Sequence, residues 1–147
     1  MGLPLAVAFS KKFKTVGLDK SSTKINSLKN NIDTSKLISN KILKKRKKLI
    51  FSKDYNFLTK SKFIIVCVPT PINKKNKPNL RLLKNACKII GKKILKKTTI
   101  VFESTVYPGV TEEVCIPIIE KNSKLKWKKD FNVGYSPERV SPGEKSR

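Results

Sequence analysis

Short apolar runs alternate along the chain with segments whose apolar residues recur at helical spacing. The runs predict strands at residues 15–19, 49–52, 63–68, 99–102 and 131–135. The intervening segments predict helices over residues 2–13, after Ser21 or Ser22, over residues 80–94 and over residues 110–121. Strands that alternate with helices predict an α/β fold, a Rossmann-like doubly wound sheet of parallel strands.

Three details of this pattern make sharper predictions. The unbroken apolar run 63–68 predicts a parallel strand buried on both faces. Glu112 and Glu113 favour a helix start at residue 110, and Pro117 predicts a kink inside that helix. Residues 30–48 lose the pattern, and their nearly all-basic end, 41–48, predicts a solvated surface helix or loop.

Polar segments follow the last two predicted strands. Glu103-Ser-Thr-Val-Tyr-Pro-Gly109 comes after strand 99–102, and Tyr135-Ser-Pro-Glu-Arg139 begins where the final strand ends. Open α/β sheets bind their ligands at the carboxyl ends of the strands. We therefore expect binding and catalytic groups in these two segments.

Several side chains near strand ends can carry chemistry, and each has a simpler alternative. Asp19 can accept hydrogen bonds from an adenine ribose and would repel a 2′-phosphate, which favours NAD over NADP, but a turn-forming Asp fits equally well. Thr70 and Thr105 can bond a ribose, an amide or a water, or can simply cap a turn. Glu138 can act as a general base and Arg139 can pair with a phosphate, or the two can form a surface ion pair.

The opening residues, Met1-Gly-Leu-Pro-Leu-Ala6, look like the second half of a Gly-rich dinucleotide-binding turn. Gly2 then takes the place of the third glycine, although a Gly after an initiator Met carries little meaning alone. On this interpretation the first strand and the first two glycines are missing. Two interior strand edges would lack partners, so we expect the chain alone to fold poorly or with a defect at the pyrophosphate site.

The formal charge of +24 raises nucleic acid as a partner. All but four of the 34 basic residues are Lys, spread along the chain without interleaved aromatics, which favours solvated lysine faces over nucleic-acid binding. The chain has no His, and its three Cys show no metal-ligand spacing. An odd Cys count without a secretory signal predicts a reducing cytoplasm, and no apolar segment approaches the length of a membrane span.

Taken in order, the motifs resemble the NAD-binding region of the UDP-glucose/GDP-mannose dehydrogenase family. The branch acting on UDP-N-acetylhexosamines, such as UDP-N-acetylgalactosamine or UDP-N-acetylmannosamine, is the most similar. The resemblance runs along essentially the whole chain, and residues 103–117 and 134–139 are its most specific part. It rests on Gly-Leu-Pro-Leu-Ala (2–6), Val-Pro-Thr-Pro (68–71), Glu-Ser-Thr-Val-Tyr-Pro-Gly (103–109), Thr-Glu-Glu-Val-Cys-Ile-Pro (111–117) and Gly-Tyr-Ser-Pro-Glu-Arg (134–139).

The resemblance implies an oxidoreductase that converts a sugar C6 alcohol to a carboxylate with two NAD, through a Cys nucleophile, for surface polysaccharide biosynthesis. It also implies roles for residues of this chain: Thr105 would hold a catalytic water, Glu138 would assist proton transfer, and Arg139 would approach the substrate. The residues implied to bind NAD are Gly2, Asp19, Lys24, Thr70 and Thr105.

Other parts of the family pattern are not found in this sequence. The nucleophilic Cys belongs to a Gly-x-Cys motif that none of Cys67, Cys87 and Cys115 matches. The central helix and the UDP-sugar-binding domain would also lie outside residues 1–147, so we expect a partial NAD-binding domain that is inactive alone. Homo-oligomers are expected only for the full-length enzyme. The alternatives are a non-catalytic relic, a stand-alone nucleotide-binding module and, less favoured, a basic nucleic-acid-binding protein.

Overall fold

A computed structural model of the chain describes residues 2–72 and 78–136. The chain divides after Phe57 into two compact units. Among the described residues, the strands of each unit form one sheet, with two strands in the first unit and three in the second, and each of these strand pairs is parallel. The prediction of a parallel α/β architecture is therefore confirmed.

The first unit is built around a two-stranded sheet in which β1 pairs with β2, with Thr15 opposite Leu49. Apolar side chains from its helices and from β2 form one core of buried residues: Ile25, Leu28, Leu43, Leu49 and Phe51. The elements of this unit are α1 (Gly2–Ser10), β1 (Thr15–Leu18), α2 (Ser22–Lys29), α3 (Asn40–Lys44) and β2 (Leu49–Ser52).

Side-chain oxygens fix the local structure of this unit. The Ser21 hydroxyl accepts a hydrogen bond from the Lys24 N–H and so caps α2, as predicted. Asp33 shapes the loop before α3, because its carboxylate accepts hydrogen bonds from the N–H groups of Ser35, Leu37 and Ile38 and from the Ser35 hydroxyl. Residues 30–48, where the sequence pattern faded, are thus organised mainly by polar contacts and one short helix.

The second unit is a three-stranded sheet in the order β3-β4-β5, with a helix between successive strands. Its successive strands are parallel neighbours joined through a helix, as in a doubly wound sheet. The elements are a 3₁₀ turn (Tyr55–Lys60), β3 (Phe63–Val66), α4 (Arg81–Gly91), β4 (Thr99–Phe102), a π-helical turn (Val110–Cys115), α5 (Ile116–Ser123) and β5 (Asn132–Tyr135).

The core of the second unit comes from alternate strand residues and from the apolar faces of α4 and α5. In β4, Ile100 and Phe102 are fully buried, while Thr99 and Val101 are half-buried. In α4, the apolar spacing seen in the sequence buries Leu83, Cys87 and Ile90, which confirms the predicted amphipathic helix. The sheet therefore presents a packed framework from which its carboxyl-end segments project.

One detail of the predicted pattern is wrong, and another is refined. β3 is not buried on both faces, because Phe63 is 70% exposed and only Ile64 and Val66 are buried. The segment 110–121 is helical, as predicted, but its first part, Val110–Cys115, is a π-helical turn that continues directly into α5, with Pro117 just after the junction. The predicted kink at Pro117 remains a prediction. Within residues 2–72 and 78–136, no helix is long and apolar enough to cross a membrane.

Candidate functional site

Asp19 follows β1 directly and is held in a fixed orientation. Its Oδ1 accepts a hydrogen bond from the Ser21 N–H at 3.0 Å, and its Oδ2 accepts one from the Lys24 ammonium at 2.6 Å. Both partners belong to the start of α2, so the turn between β1 and α2 sets the position of the carboxylate. The structure thus pairs Asp19, predicted to bind the adenosine ribose, with Lys24, which the resemblance places near it.

The charge state of Asp19 suits a hydrogen-bond acceptor. Partial burial acts to raise the pKa of Asp19, but hydrogen bonds from Lys24 and Ser21, with the charges of Lys24 and Lys20, outweigh burial and leave the pKa below its ordinary value. An ionised carboxylate has about four lone-pair positions. The two hydrogen bonds to Asp19 therefore leave acceptor positions for the two hydroxyls of a ribose.

Gly2 is the first residue of α1, in the same unit as Asp19. Its position at a helix start agrees with that of a glycine in a dinucleotide-binding turn. Its proposed role near a pyrophosphate remains a prediction.

In the second unit, Thr70 and Thr105 meet at the carboxyl ends of neighbouring strands. Thr70 follows β3, and its hydroxyl donates a hydrogen bond of 2.6 Å to the backbone carbonyl of Thr105, which follows β4. The sequence predicted both as ligand-binding hydroxyls. The structure brings them together but occupies the Thr70 proton with a backbone contact.

Two further residues hold the same region, and sequence reasoning missed both. Ser104 is 2% exposed, and its hydroxyl donates to the carbonyl of Val68 at 2.7 Å. The Tyr135 hydroxyl, at the end of β5, donates to the carbonyl of Val106 at 3.4 Å. The available signal was the position of Ser104 immediately after a buried strand and of Tyr135 at the end of the next one.

Thr105 itself is exposed, and its hydroxyl has no hydrogen-bond partner among residues 2–72 and 78–136. The Thr105 carbonyl is held by the Thr70 hydroxyl, while the exposed Thr105 side chain can contact a ligand. A hydroxyl at this edge can donate to a carbonyl or amide oxygen, or orient a water for attack. An exposed hydroxyl can meet water as well as a ligand, so the role of Thr105 towards a nicotinamide remains a prediction.

The loop after Thr105 ends in a glycine that the backbone requires. Gly109 has φ of +91°, and a Cβ there would lie 2.8 Å from the Glu113 Oε1. Its carbonyl accepts the Glu113 N–H at 2.7 Å as the π-helical turn begins. Gly109 thus joins the candidate site to α5, since other residues rarely adopt this conformation.

Glu138 and Arg139, predicted to act in proton transfer and substrate binding, lie outside the described residues. Their predicted roles remain predictions.

A shallow cavity lies away from these groups, beside the first turns of α4. Its volume is about 490 Å³, and its lining includes Arg81, Lys84 and Lys88 but none of the predicted site residues. The candidate site is defined instead by hydrogen-bonding groups at strand ends.

Comparison with known proteins agrees with this geometry. Residues 1–146 match the NAD binding domain of the UDP-glucose/GDP-mannose dehydrogenase family. Protein CapL of Staphylococcus aureus is 49% identical over 146 residues, which are 99% of this chain and 34% of CapL. A UDP-N-acetyl-D-glucosamine 6-dehydrogenase of Pseudomonas aeruginosa is 44% identical over 145 residues, again 99% of this chain and 34% of the relative.

Solved structures give the same result. The UDP-D-ManNAc dehydrogenase of Pyrococcus horikoshii superposes with a TM-score of 0.88 at 30% identity, covering 97% of this chain and 35% of that one. The Rossmann-like fold is therefore confirmed, and the chain spans about a third of the length of the relatives it matches. The chain belongs to the UDP-glucose/GDP-mannose dehydrogenase family and represents its NAD binding domain.

Proposed function

We propose that the chain is the NAD-binding part of a nucleotide-sugar 6-dehydrogenase that oxidises the C6 alcohol of a UDP-N-acetylhexosamine to the uronic acid, for surface polysaccharide biosynthesis. The observation that carries the proposal is the 44% identity to a UDP-N-acetyl-D-glucosamine 6-dehydrogenase over 99% of the chain. Oxidation of an alcohol to a carboxylate removes four electrons, and NAD accepts two of them as a hydride. Each sugar therefore consumes two NAD.

In this proposal Asp19 binds the adenosine ribose. Its ionised oxygens accept the ribose hydroxyls, and Lys24, 2.6 Å from Oδ2, keeps the carboxylate oriented. Carboxylates repel a 2′-phosphate, so the residue selects NAD over NADP. Gly2, at the start of α1, lies near the pyrophosphate in this assignment.

Thr105 serves the nicotinamide end and the catalytic water, and Thr70 lines the same side. Support comes from the exposure of Thr105 and from the free state of its hydroxyl among the described residues. By resemblance, Glu138 assists proton transfer during hydrolysis of the enzyme-bound acid, and Arg139 approaches the substrate.

The remaining machinery belongs, in our proposal, outside these 147 residues. This includes the nucleophilic Cys, the central helix, the UDP-sugar-binding domain and the contacts that form a homo-oligomer. We place the reaction in the cytoplasm, because the cysteine count is odd and no disulfide joins cysteines among the described residues, as in a reducing compartment. Nucleic acid is not a partner in this account.

The proposal is tested with the protein purified from its own cells. The protein is incubated with NAD and one sugar nucleotide at a time: UDP-N-acetylglucosamine, UDP-N-acetylgalactosamine, UDP-N-acetylmannosamine or UDP-glucose. We expect two NADH for each uronic acid formed with at least one of these sugars, and much slower oxidation of UDP-glucose. NADH binding without oxidation of any sugar would instead indicate a stand-alone nucleotide-binding module, and neither activity would indicate a relic.

A further inference from the structure

The segment 104–106, which we call the anchored segment, is held by one side-chain hydrogen bond at each of its residues. Ser104 donates from its own hydroxyl, Thr105 is held through its carbonyl by Thr70, and Val106 through its carbonyl by Tyr135. The three anchoring side chains lie in different places: Ser104 follows β4, Thr70 follows β3, and Tyr135 is the last residue of β5. Strands on both sides of β4 therefore restrain the same short piece of backbone.

The three anchoring side chains differ in burial, and only Ser104 is part of the packed core. Ser104 is buried and belongs to the folded framework, but Thr70 is only half-buried and Tyr135 is 45% exposed. A half-exposed hydroxyl gains little by bonding a carbonyl that water can also reach. The main effect of such a hydrogen bond is therefore to restrict the position of the carbonyl that accepts it, not to add stability.

We propose that Ser104, Thr70 and Tyr135 are positioning residues that fix the anchored segment, so that the free Thr105 hydroxyl is presented in one direction to the nicotinamide end of NAD. The inference rests on the proposed role of Thr105, and it changes the role of Thr70. The Thr70 hydroxyl acts through the Thr105 backbone instead of donating to the cofactor.

The physical gain is preorganisation. A segment that is already ordered loses less conformational freedom when NAD binds, so more of the contact energy appears as affinity. Fixing one residue's backbone costs about 1–2 kcal/mol, which corresponds to about a fivefold to thirtyfold change in affinity. Removing the shortest anchor, from Thr70, is therefore expected to weaken NADH binding by about that factor.

The test compares isosteric variants of the full chain. Thr70→Val removes the hydroxyl and keeps the shape, whereas Thr70→Ser restores the hydroxyl. Tyr135→Phe removes the weaker anchor, and Tyr107→Phe is its matched control, because the 50% exposed Tyr107 has no side-chain hydrogen bond within the described ranges. Two quantities are measured for each variant: the NMR order parameters of the backbone amides of residues 104–106 without ligand, and the dissociation constant for NADH.

We expect Thr70→Val to lower the order parameters from about 0.85 towards 0.6 and to weaken NADH binding about fivefold to thirtyfold. Thr70→Ser should restore both, Tyr135→Phe should show a smaller effect of the same sign, and Tyr107→Phe should show none.

Unchanged order parameters in Thr70→Val would overturn the inference, even if NADH binding weakened, because the hydroxyl would then contact the cofactor directly. Equal effects of Tyr107→Phe and Tyr135→Phe would overturn it as well. Absence of NADH binding by the unmodified chain is a different result, since it contradicts the proposed function.

Discussion

Gly91, the last residue of α4, lies against α5 without space for a side chain. A Cβ at this position would lie 2.8 Å from the Asn122 Cβ, 2.9 Å from the Ile119 carbonyl oxygen and 3.2 Å from the Ile119 Cα. Two of these atoms are backbone atoms, so relief requires α5 to move as a whole. Gly91→Ala therefore tests the packing of the two helices that cover the second unit's sheet.

The magnitude follows from two opposing effects. Overpacking a filled interface costs about 1–3 kcal/mol, and the better helix propensity of Ala returns at most about 1 kcal/mol. We expect a net loss of about 1–2 kcal/mol in the free energy of unfolding. Gly134→Ala is the matched control: its Cβ would meet nothing closer than the Val101 Cγ2 at 3.8 Å, an ordinary contact.

The assay is equilibrium unfolding in urea, followed by the fluorescence of Trp127. Trp127 is the only Trp of the chain and lies in the second unit, where its backbone N–H donates to the Glu120 carboxylate at 2.9 Å. With an m-value of about 2 kcal/mol/M, Gly91→Ala should lower the midpoint by about 0.5–1 M, and Gly134→Ala should change it little. Equal midpoints for the two variants would refute the packing argument.

Three other predictions concern the loop before α3, the buried thiols and the smaller unit. Burial acts to raise the pKa of Asp33, but hydrogen bonds from the following residues outweigh burial and leave the pKa below its ordinary value. The stabilising contribution of Asp33 is therefore present above the unfolded-state pKa of about 3.9 and is lost as the pH falls through the folded-state pKa. Asp33→Asn should flatten the acid side of the first unit's stability profile, measured by amide NMR signals against pH; an unchanged profile would contradict this. Cys87 and Cys115 are 0% and 1% exposed, and the hydrogen bond that the Cys87 thiol donates to Cys115, together with burial, raises the pKa of Cys87. Iodoacetamide should therefore label Cys67 alone before unfolding, as mass spectrometry would show. Native labelling of either buried thiol would contradict the packing of α4. The two-stranded sheet of the first unit should lose amide protection before the three-stranded sheet in hydrogen exchange, since small sheets are marginally stable; the reverse order would refute this.

The sequence predicted most of the strands and helices because their apolar residues are strongly periodic. β2 and β4 agree with the predicted ranges at both ends, and α4 buries the face that the spacing indicated. Errors arose where burial depends on what covers a strand: Phe63 is apolar yet exposed. The π-helical turn before Pro117 was not predicted either, since π-helices are rare.

The candidate site was predicted only in part, for a physical reason. Asp19 and Lys24 are five residues apart, and local geometry at a helix start brings them together. Thr70 and Thr105 are 35 residues apart, and their contact depends on the register between β3 and β4, which pairs Val66 with Phe102. A sequence pattern places residues at strand ends but does not set that register. The contacts of Ser104 and Tyr135 therefore became visible only in the folded chain.

The most direct test of this account is isothermal titration calorimetry of the unmodified chain and of the Asp19→Asn variant, each with NADH and with NADPH. Hydrogen bonds to a charged acceptor contribute about 1.5–3 kcal/mol, so Asp19→Asn should weaken NADH binding about tenfold to a hundredfold. The unmodified chain should prefer NADH, and the variant should lose much of that preference. Equal affinity of the unmodified chain for both nucleotides, or an unchanged NADH affinity in Asp19→Asn, would contradict the assignment of Asp19 as the ribose-binding residue of an NAD site.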